Sequence, residues 1–463
     1  MSHLRYSLLA AAILLLHAAP LLAAEAGTNA NPKDDGYRGI WYNIGTKYSG
    51  GMATYTQQIR PFAVYSAAAN KTFFCYGGRQ KDKYNLLHLV SYYDHSTGQV
   101  PRPTIVMDKR TTDAHDNPCL AIDEQGYIWI FSNTHGAKQR SRIHRSREPY
   151  SIESFETIDD GLDFSYGQAW TVPGEGLFFL HNRYDLRRAV VFQTCRTGAT
   201  EWSDTRQIAQ IRGQYGFSAT QGSRIGVAFI YFPNYGQRGG DHDTRTNPHY
   251  MQSDDFGKTW TAADGTPLEV PLTETPNPAL VHDYWKDKTF TYFKDVTFDN
   301  QGRPVLLYLL SKGKDPGPEN GPRQWVTAHW VGDHWRISNF TTSDHNYDFG
   351  QLAIEKDDVW RIFAPTDPGP QAGWTGGEVV MWQSHSEGKH WNRKVITSDS
   401  ARNHSYVRLP VNAHPDFYAY WADGDPTQRD SESRLWFCNQ DGTKVWQLPQ
   451  EMESDFAKPV RVR

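Results

Sequence analysis

Seven times along the chain a short apolar strand, a polar or glycine-bearing turn and an aromatic-rich second strand follow one another. The second strands start near Thr72, Ile128, Leu177, Val227, Val305, Val359 and Phe417, at intervals mostly of about 50 to 58 residues. One interval is longer, because a proline-bearing run and residues 282–288 are inserted there. A period of this length means one supersecondary unit stacked many times. Seven units of about four strands each predict an all-β, seven-bladed β-propeller. Two β-sandwiches would need a linker, and no Pro/Ser-rich boundary interrupts the chain after residue 36. Residues 27–463 are therefore expected to be one domain, with residues 36–42 closing the ring as a strand against the last blade.

A second signal lies between the hairpins. Ser253-Asp-Asp255-Phe-Gly257-Lys-Thr259-Trp260 fits the Asp-box turn, and Ser384-His-Ser-Glu-Gly388-Lys-His-Trp391 is a degenerate copy. In such a turn the Asp accepts from backbone N–H groups, the Gly takes positive φ and the Trp packs inward. These turns join the third and fourth strands of a blade and carry no chemistry of their own. The 16 Trp, 25 Tyr and 22 Phe, with 38 Gly and 26 Pro, suit short strands and tight turns rather than long helices.

The formal net charge of −4 and the absence of basic runs argue against a nucleic-acid partner. Residues 1–26 read as a secretory signal peptide. Arg5 supplies the positive region, Leu8 to Leu16 the apolar core and Ala24-Glu-Ala26 the small-residue cleavage pattern. The expected product is a secreted or periplasmic monomer without a membrane anchor. Cys75, Cys119, Cys195 and Cys438 are too widely spaced for a stapled scaffold, and buried free thiols are at least as good a reading as disulfides.

In an antiparallel hairpin the start of the first strand lies beside the end of the second, so in a propeller both positions face the channel mouth. His115 and His135 flank one hairpin in this way and should meet. Tyr166, Tyr215, Lys294, His345 and His404 precede other first strands; Arg183, Tyr231 and Lys312 follow second strands, and the loop after Tyr231 adds Arg238. Ordinary glycoside hydrolysis wants two matched carboxylates. A mouth of His, Tyr and Arg suits an anionic sugar and proton transfer instead. Asp241, Asp243, His242 and His249 offer donors in one loop, but their spacing matches no metal signature, and neither metal nor cofactor is expected.

Several stretches resemble the BNR-4-repeat propellers, a group that includes ulvan lyases and enzymes of the L-rhamnose-α-1,4-D-glucuronate linkage. The resemblance is carried by Gly36-Tyr-Arg-Gly-Ile-Trp-Tyr42, Lys47-Tyr-Ser-Gly-Gly51, Lys71-Thr-Phe-Phe74, Asp113-Ala-His115-Asp-Asn-Pro118 and residues 247–260. It implies a polysaccharide lyase whose active centre uses His115, His135, Tyr166 and Arg183, acting by β-elimination on an acidic polysaccharide or oligosaccharide. On that reading Tyr166 is base and acid, His115 assists, His135 and Arg183 hold the uronate carboxylate, and Tyr231 and Arg238 touch substrate. The preferred substrate is the rhamnose cap of arabinogalactan, cleaved exo. The alternatives are an α-L-rhamnosidase, an endo-acting ulvan lyase and a non-catalytic sugar-binding propeller. The rhamnosidase group relies on a histidine after Gly-Gly-x-Ala-Thr-Tyr, whereas this chain has none between Gly50 and Gly78, a departure that favours the lyase.

Overall fold

A computed structural model describes residues 30–42, 52–136, 140–159, 161–211, 215–234 and 243–463. The signal-peptide segment and Arg238 lie outside the described residues. Seven antiparallel sheets follow one another in strict chain order. Blade 1 runs from Ala63–Ser66 to Thr104–Asp108, blade 2 from Pro118–Ile122 to Phe155–Asp159, and blade 3 from Ser165–Val172 to Arg206–Ala209. Blade 4 runs from Gly216–Gln221 to Pro267–Leu268, blade 5 from Phe290–Phe298 to Trp335–Ser343, blade 6 from Gln351–Ile354 to Asn392–Val395, and blade 7 from Asn403–Arg408 to Val460–Arg461. The second strands begin within a few residues of the positions that the repeat marks. Large apolar and aromatic side chains on both faces of these strands are buried, and the main cluster runs continuously through several blades. The only helical elements described are short 3-10 turns.

The Asp-box forms as its residues dictate. Asp255 accepts from the amides of Lys258 and Thr259 (3.0 and 2.9 Å) and from the Thr259 hydroxyl (2.7 Å). Gly257 sits at φ 79° and Trp260 is buried. In the degenerate copy Ser386 takes the place of the Asp and accepts the His390 amide at 2.9 Å. All four cysteines are free and buried.

Ring closure differs from the expectation. Residues 36–42 form no strand; Gly39 makes isolated bridges to Gly78 and to Ser433. A Cβ at Gly39 would meet Ser433 Oγ at 2.7 Å and Ala53 Cβ at 2.9 Å, so the segment is wedged between blades 1 and 7 rather than paired along its length. Blade 7 takes its outer strands from the C-terminus. The seam is completed by the Tyr65 amide on Val411 O (2.9 Å) and by Val100–Pro101 pairing with Phe456–Ala457.

Seven sheets around an axis leave a hole, and residues 52–61 fill it; every one of them is buried. Asn117 Nδ2 donates to the carbonyls of Met52, Ala53 and Tyr55. Arg408 of blade 7 donates to those of Thr54, Thr56 and Gln57. Gln57 Nε2 donates to Lys294 O (2.8 Å) and Gly350 O (3.0 Å), and Arg60 pairs with buried Asp295 at 2.5 Å. The plug thus satisfies its backbone with side chains from around the ring. Lys294, His345 and His404, placed at the mouth by sequence, are buried instead: Lys294 Nζ donates to Asn346 O (2.6 Å), and His404 accepts from the Trp421 indole (2.9 Å).

Burial pushes the imidazoles of His144 and His249 down to about 4 and of His181 and His404 to about 3. Below pH about 6.5 the unfolded chain takes up these protons and the folded chain does not, so stability falls on acidification. Asp34, Asp116 and Asp423, pushed up to about 6 by burial, act in the opposite sense with smaller shifts. The melting temperature should therefore decline as the pH falls from about 6.5 to 4. A rise over that window, followed by circular dichroism, would contradict this balance.

Candidate active site

The hairpin of blade 2 brings His115 and His135 together, as its register requires. Their rings stack with centroids 4.0 Å apart and planes at 13°. One carboxylate holds both: Asp113 Oδ1 lies 2.5 Å from His115 Nδ1, and Oδ2 lies 3.0 Å from His135 Nδ1. Asp113 also caps the 3-10 turn Ala114–Asp116 by accepting the His115 amide. Burial alone would raise the Asp113 pKa, but the two imidazoles hold it well below the usual carboxylate range. An ionised Asp113 accepts from both Nδ1–H groups, which leaves both Nε2 atoms with a lone pair. That of His115 meets the Tyr55 hydroxyl at 2.5 Å. His135 has 30% of its side chain exposed and faces the rings of Tyr166 and Tyr184, with centroids at 6.2 and 5.8 Å.

Tyr166 enters from blade 3 on a β-bulge. Ser165 pairs with Asn182 and Gln168 with Leu180, so one extra residue is accommodated, and Tyr166 itself has φ +57°. A bulky residue in that region is uncommon and persists only where its surroundings over-determine it. The surroundings here are Gly167, whose amide donates to Asn133 Oδ1 at 2.6 Å, and Asn133, whose own amide group donates to Asn117 O at 2.9 Å. Blade 2 therefore aims the tyrosine of blade 3. The Tyr166 hydroxyl lies 3.4 Å from that of Tyr184, and its ring meets Tyr215 edge-on at 5.0 Å. Burial, then the neighbouring tyrosines, push its phenol pKa well up, and Arg188 opposes them. Tyr166 is therefore a protonated acid at rest.

The remaining predicted residues fall elsewhere. Arg183 makes a two-pronged bond to Asp185 (2.9 and 2.6 Å). The cation in contact with the tyrosines is Arg188, which lies 4.7 Å over the Tyr184 ring and donates to the Tyr215 hydroxyl at 3.0 Å. Its charge also reaches His115, whose pKa is lowered chiefly by burial. Tyr231 packs against the outer core between blades 3 and 4, while the next residue, Phe232, contacts Tyr215 at 5.6 Å. Tyr55, Tyr184 and Arg188 were not singled out from sequence. Tyr55 belongs to the plug, and Arg188 lies in a turn that a strand-end rule skips. Asp113, His115 and His135 also offer ligand atoms within 4.8 Å of one another, so a divalent ion could replace their mutual hydrogen bonds.

Asp113 raises the His115 pKa against the effect of burial. Asp113→Asn should therefore shift the His115 titration to still lower pH, as read by NMR; an upward shift would show that the carboxylate does not favour the protonated form of His115.

The model for a BNR repeat-containing family member matches residues 65–343. Among curated proteins, the chain is 25% identical over 373 residues to Ulvan Lyase-PL25 of Pseudoalteromonas sp. (strain PLSV), covering 71% of this chain and 73% of that one. It is 24% identical to the Ulvan lyase of Nonlabens ulvanivorans, covering 74% and 79%. Among solved structures, a PL25 ulvan lyase superposes with TM-score 0.69 at 17% identity over 94% of this chain and 98% of that one. The polysaccharide lyase Uly1 gives 0.62 at 12% identity, over 87% and 97%. The shared architecture is the seven-bladed ring, and the matched span runs from blade 1 to blade 5. This chain belongs to the BNR repeat-containing family.

Proposed function

We propose that this chain is a secreted polysaccharide lyase that cleaves the L-rhamnose-α-1,4-D-glucuronate linkage by β-elimination. The observation that carries the reading is one ionised carboxylate orienting two imidazoles beside a buried phenol and a guanidinium. Support comes from the similarity to ulvan lyases, one of which has been solved bound to -[GlcA(1-4)Rha3S]-.

In glucuronate the C5 hydrogen and the C4 oxygen lie on one ring face, so acid and base must act from the same side. His135 Nε2 takes the C5 proton, with Asp113 stabilising the imidazolium that forms. The electron pair becomes the C4–C5 double bond, the C4–O bond breaks, and the Tyr166 hydroxyl protonates the departing rhamnose oxygen. The enzyme returns to its starting state when the proton on His135 is passed back to the Tyr166 oxygen, directly or through water. This divides between two residues what sequence assigned to Tyr166 alone, because burial disfavours a resting phenolate. The carboxylate-holding part expected of His135 and Arg183 passes to Arg188, whose charge acts on both Tyr166 and His115. Neutralising the carboxylate makes the C5 proton more acidic. The rhamnose cap of arabinogalactan remains the preferred substrate on the N-terminal motifs.

Incubation with gum arabic should produce the ultraviolet absorbance of an unsaturated uronate together with free rhamnose. Rhamnose without that absorbance would make the chain a rhamnosidase, an early drop in the viscosity of ulvan would make it endo-acting, and binding without product would leave a lectin. Arg188→Lys should lower kcat/KM by about 10²-fold, while Arg183→Lys should change it less than about threefold. The opposite order would return the role to Arg183.

A further inference from the structure

On the seam that closes the ring, away from the blade 2 and blade 3 cluster, His95 and His414 face each other across blades 1 and 7. Their ring centroids are 3.8 Å apart at an interplanar angle of 39°. Asp416 completes a group whose ligand atoms all lie within 4.8 Å of one another. We propose that His95, His414 and Asp416 bind a divalent transition ion, zinc by preference, which clasps the first blade to the last.

Three features favour a ligand site over a pair of stacked rings. Thr72 Oγ1 lies 2.8 Å from His95 Nε2, so the hydroxyl can accept the Nε2 proton and leave Nδ1 with its lone pair. That Nδ1 is buried and has no hydrogen-bond partner among the described residues. A buried acceptor left unpaired costs free energy that a bound ion would recover. Aromatic rings pack around the pair: Tyr65 meets His95 edge-on at 5.3 Å and lies tilted against His414 at 5.0 Å, and Tyr93 meets His95 edge-on at 5.0 Å. Asp416 is exposed and gives the ion an entry path.

The donor set decides the metal. Two imidazoles and one carboxylate suit zinc rather than calcium or magnesium, which prefer oxygen, and three protein ligands leave a fourth position for water. Zinc would draw the donors to about 2.0–2.2 Å from itself, a small inward movement of side chains. His414 Nδ1, which accepts the Asp416 amide at 3.1 Å, would exchange that bond for the metal. Two ligands far apart in the chain make the site a fastener: the ion binds the closed ring and not the open one, so it stabilises the fold by mass action.

The test uses the full chain, stripped with a chelator and titrated with zinc chloride by calorimetry, with cobalt absorption as a second reading. The account predicts zinc binding that is lost in His95→Ala and in His414→Ala and kept in His135→Ala, which disables the other candidate group. Asp416→Asn, an exposed change that spares the fold, should weaken affinity at least about tenfold. Saturating zinc should raise the melting temperature by about 3 °C in the unaltered chain and not in His414→Ala. Absence of binding, or binding indifferent to His414→Ala and Asp416→Asn, overturns the proposal.

Discussion

A ring of seven sheets is stable only if the backbone that fills its axis finds hydrogen-bond partners there. The plug, residues 52–61, meets that constraint with side chains rather than strands: Asn117, Arg408 and Gln57 bond its carbonyls or its neighbours'. Buried guanidinium groups are costly unless paired. Arg408 is accepted by plug carbonyls and Arg60 by Asp295, so the plug and the ring stabilise each other. Because its ligands come from blades 2, 5 and 7, the plug also fixes how those blades sit around the axis.

The site inherits this arrangement. Asn117 holds the plug at Tyr55, and Tyr55 reaches His115; Asn133 bonds Asn117 on one side and aims Gly167 and Tyr166 on the other. Asp113 then sets the tautomers of both histidines. A chain of hydrogen bonds thus runs from the axis to the backbone of Gly167, next to Tyr166 in the following blade. The strained backbone of Tyr166 is tolerable because both sides of the bulge are held.

The fold was legible because its signals are local and repeated. A period near fifty residues and an Asp-box turn need no tertiary knowledge, and each blade is a contiguous piece of chain. His115 and His135 were legible for the same reason, since hairpin register alone places them together. What escaped depends on contacts between distant segments. Residues 36–42 carry the pattern of a closing strand without forming one, because a wedge between two blades leaves no periodic trace. Arg188 sits in a turn, and Arg183, on the alternating face of its strand, meets Asp185 two residues away. Tyr231 and Phe232 differ only in which side of a strand end they occupy, and the side could be known only from packing. Lys294 and His404 stand at the right chain positions, but the plug and the Trp421 indole bury them.

The account's central claim is that the phenol of Tyr166, aimed by blade 2, delivers a proton beside the Asp113-oriented imidazoles. Tyr166→Phe tests it directly, with turnover read from the unsaturated product and affinity for a rhamnose-glucuronate oligosaccharide read by calorimetry. The account predicts a fall in kcat of about 10³-fold with affinity unchanged within about threefold. A Tyr166→Phe variant that turns over at the rate of the unaltered chain would contradict it.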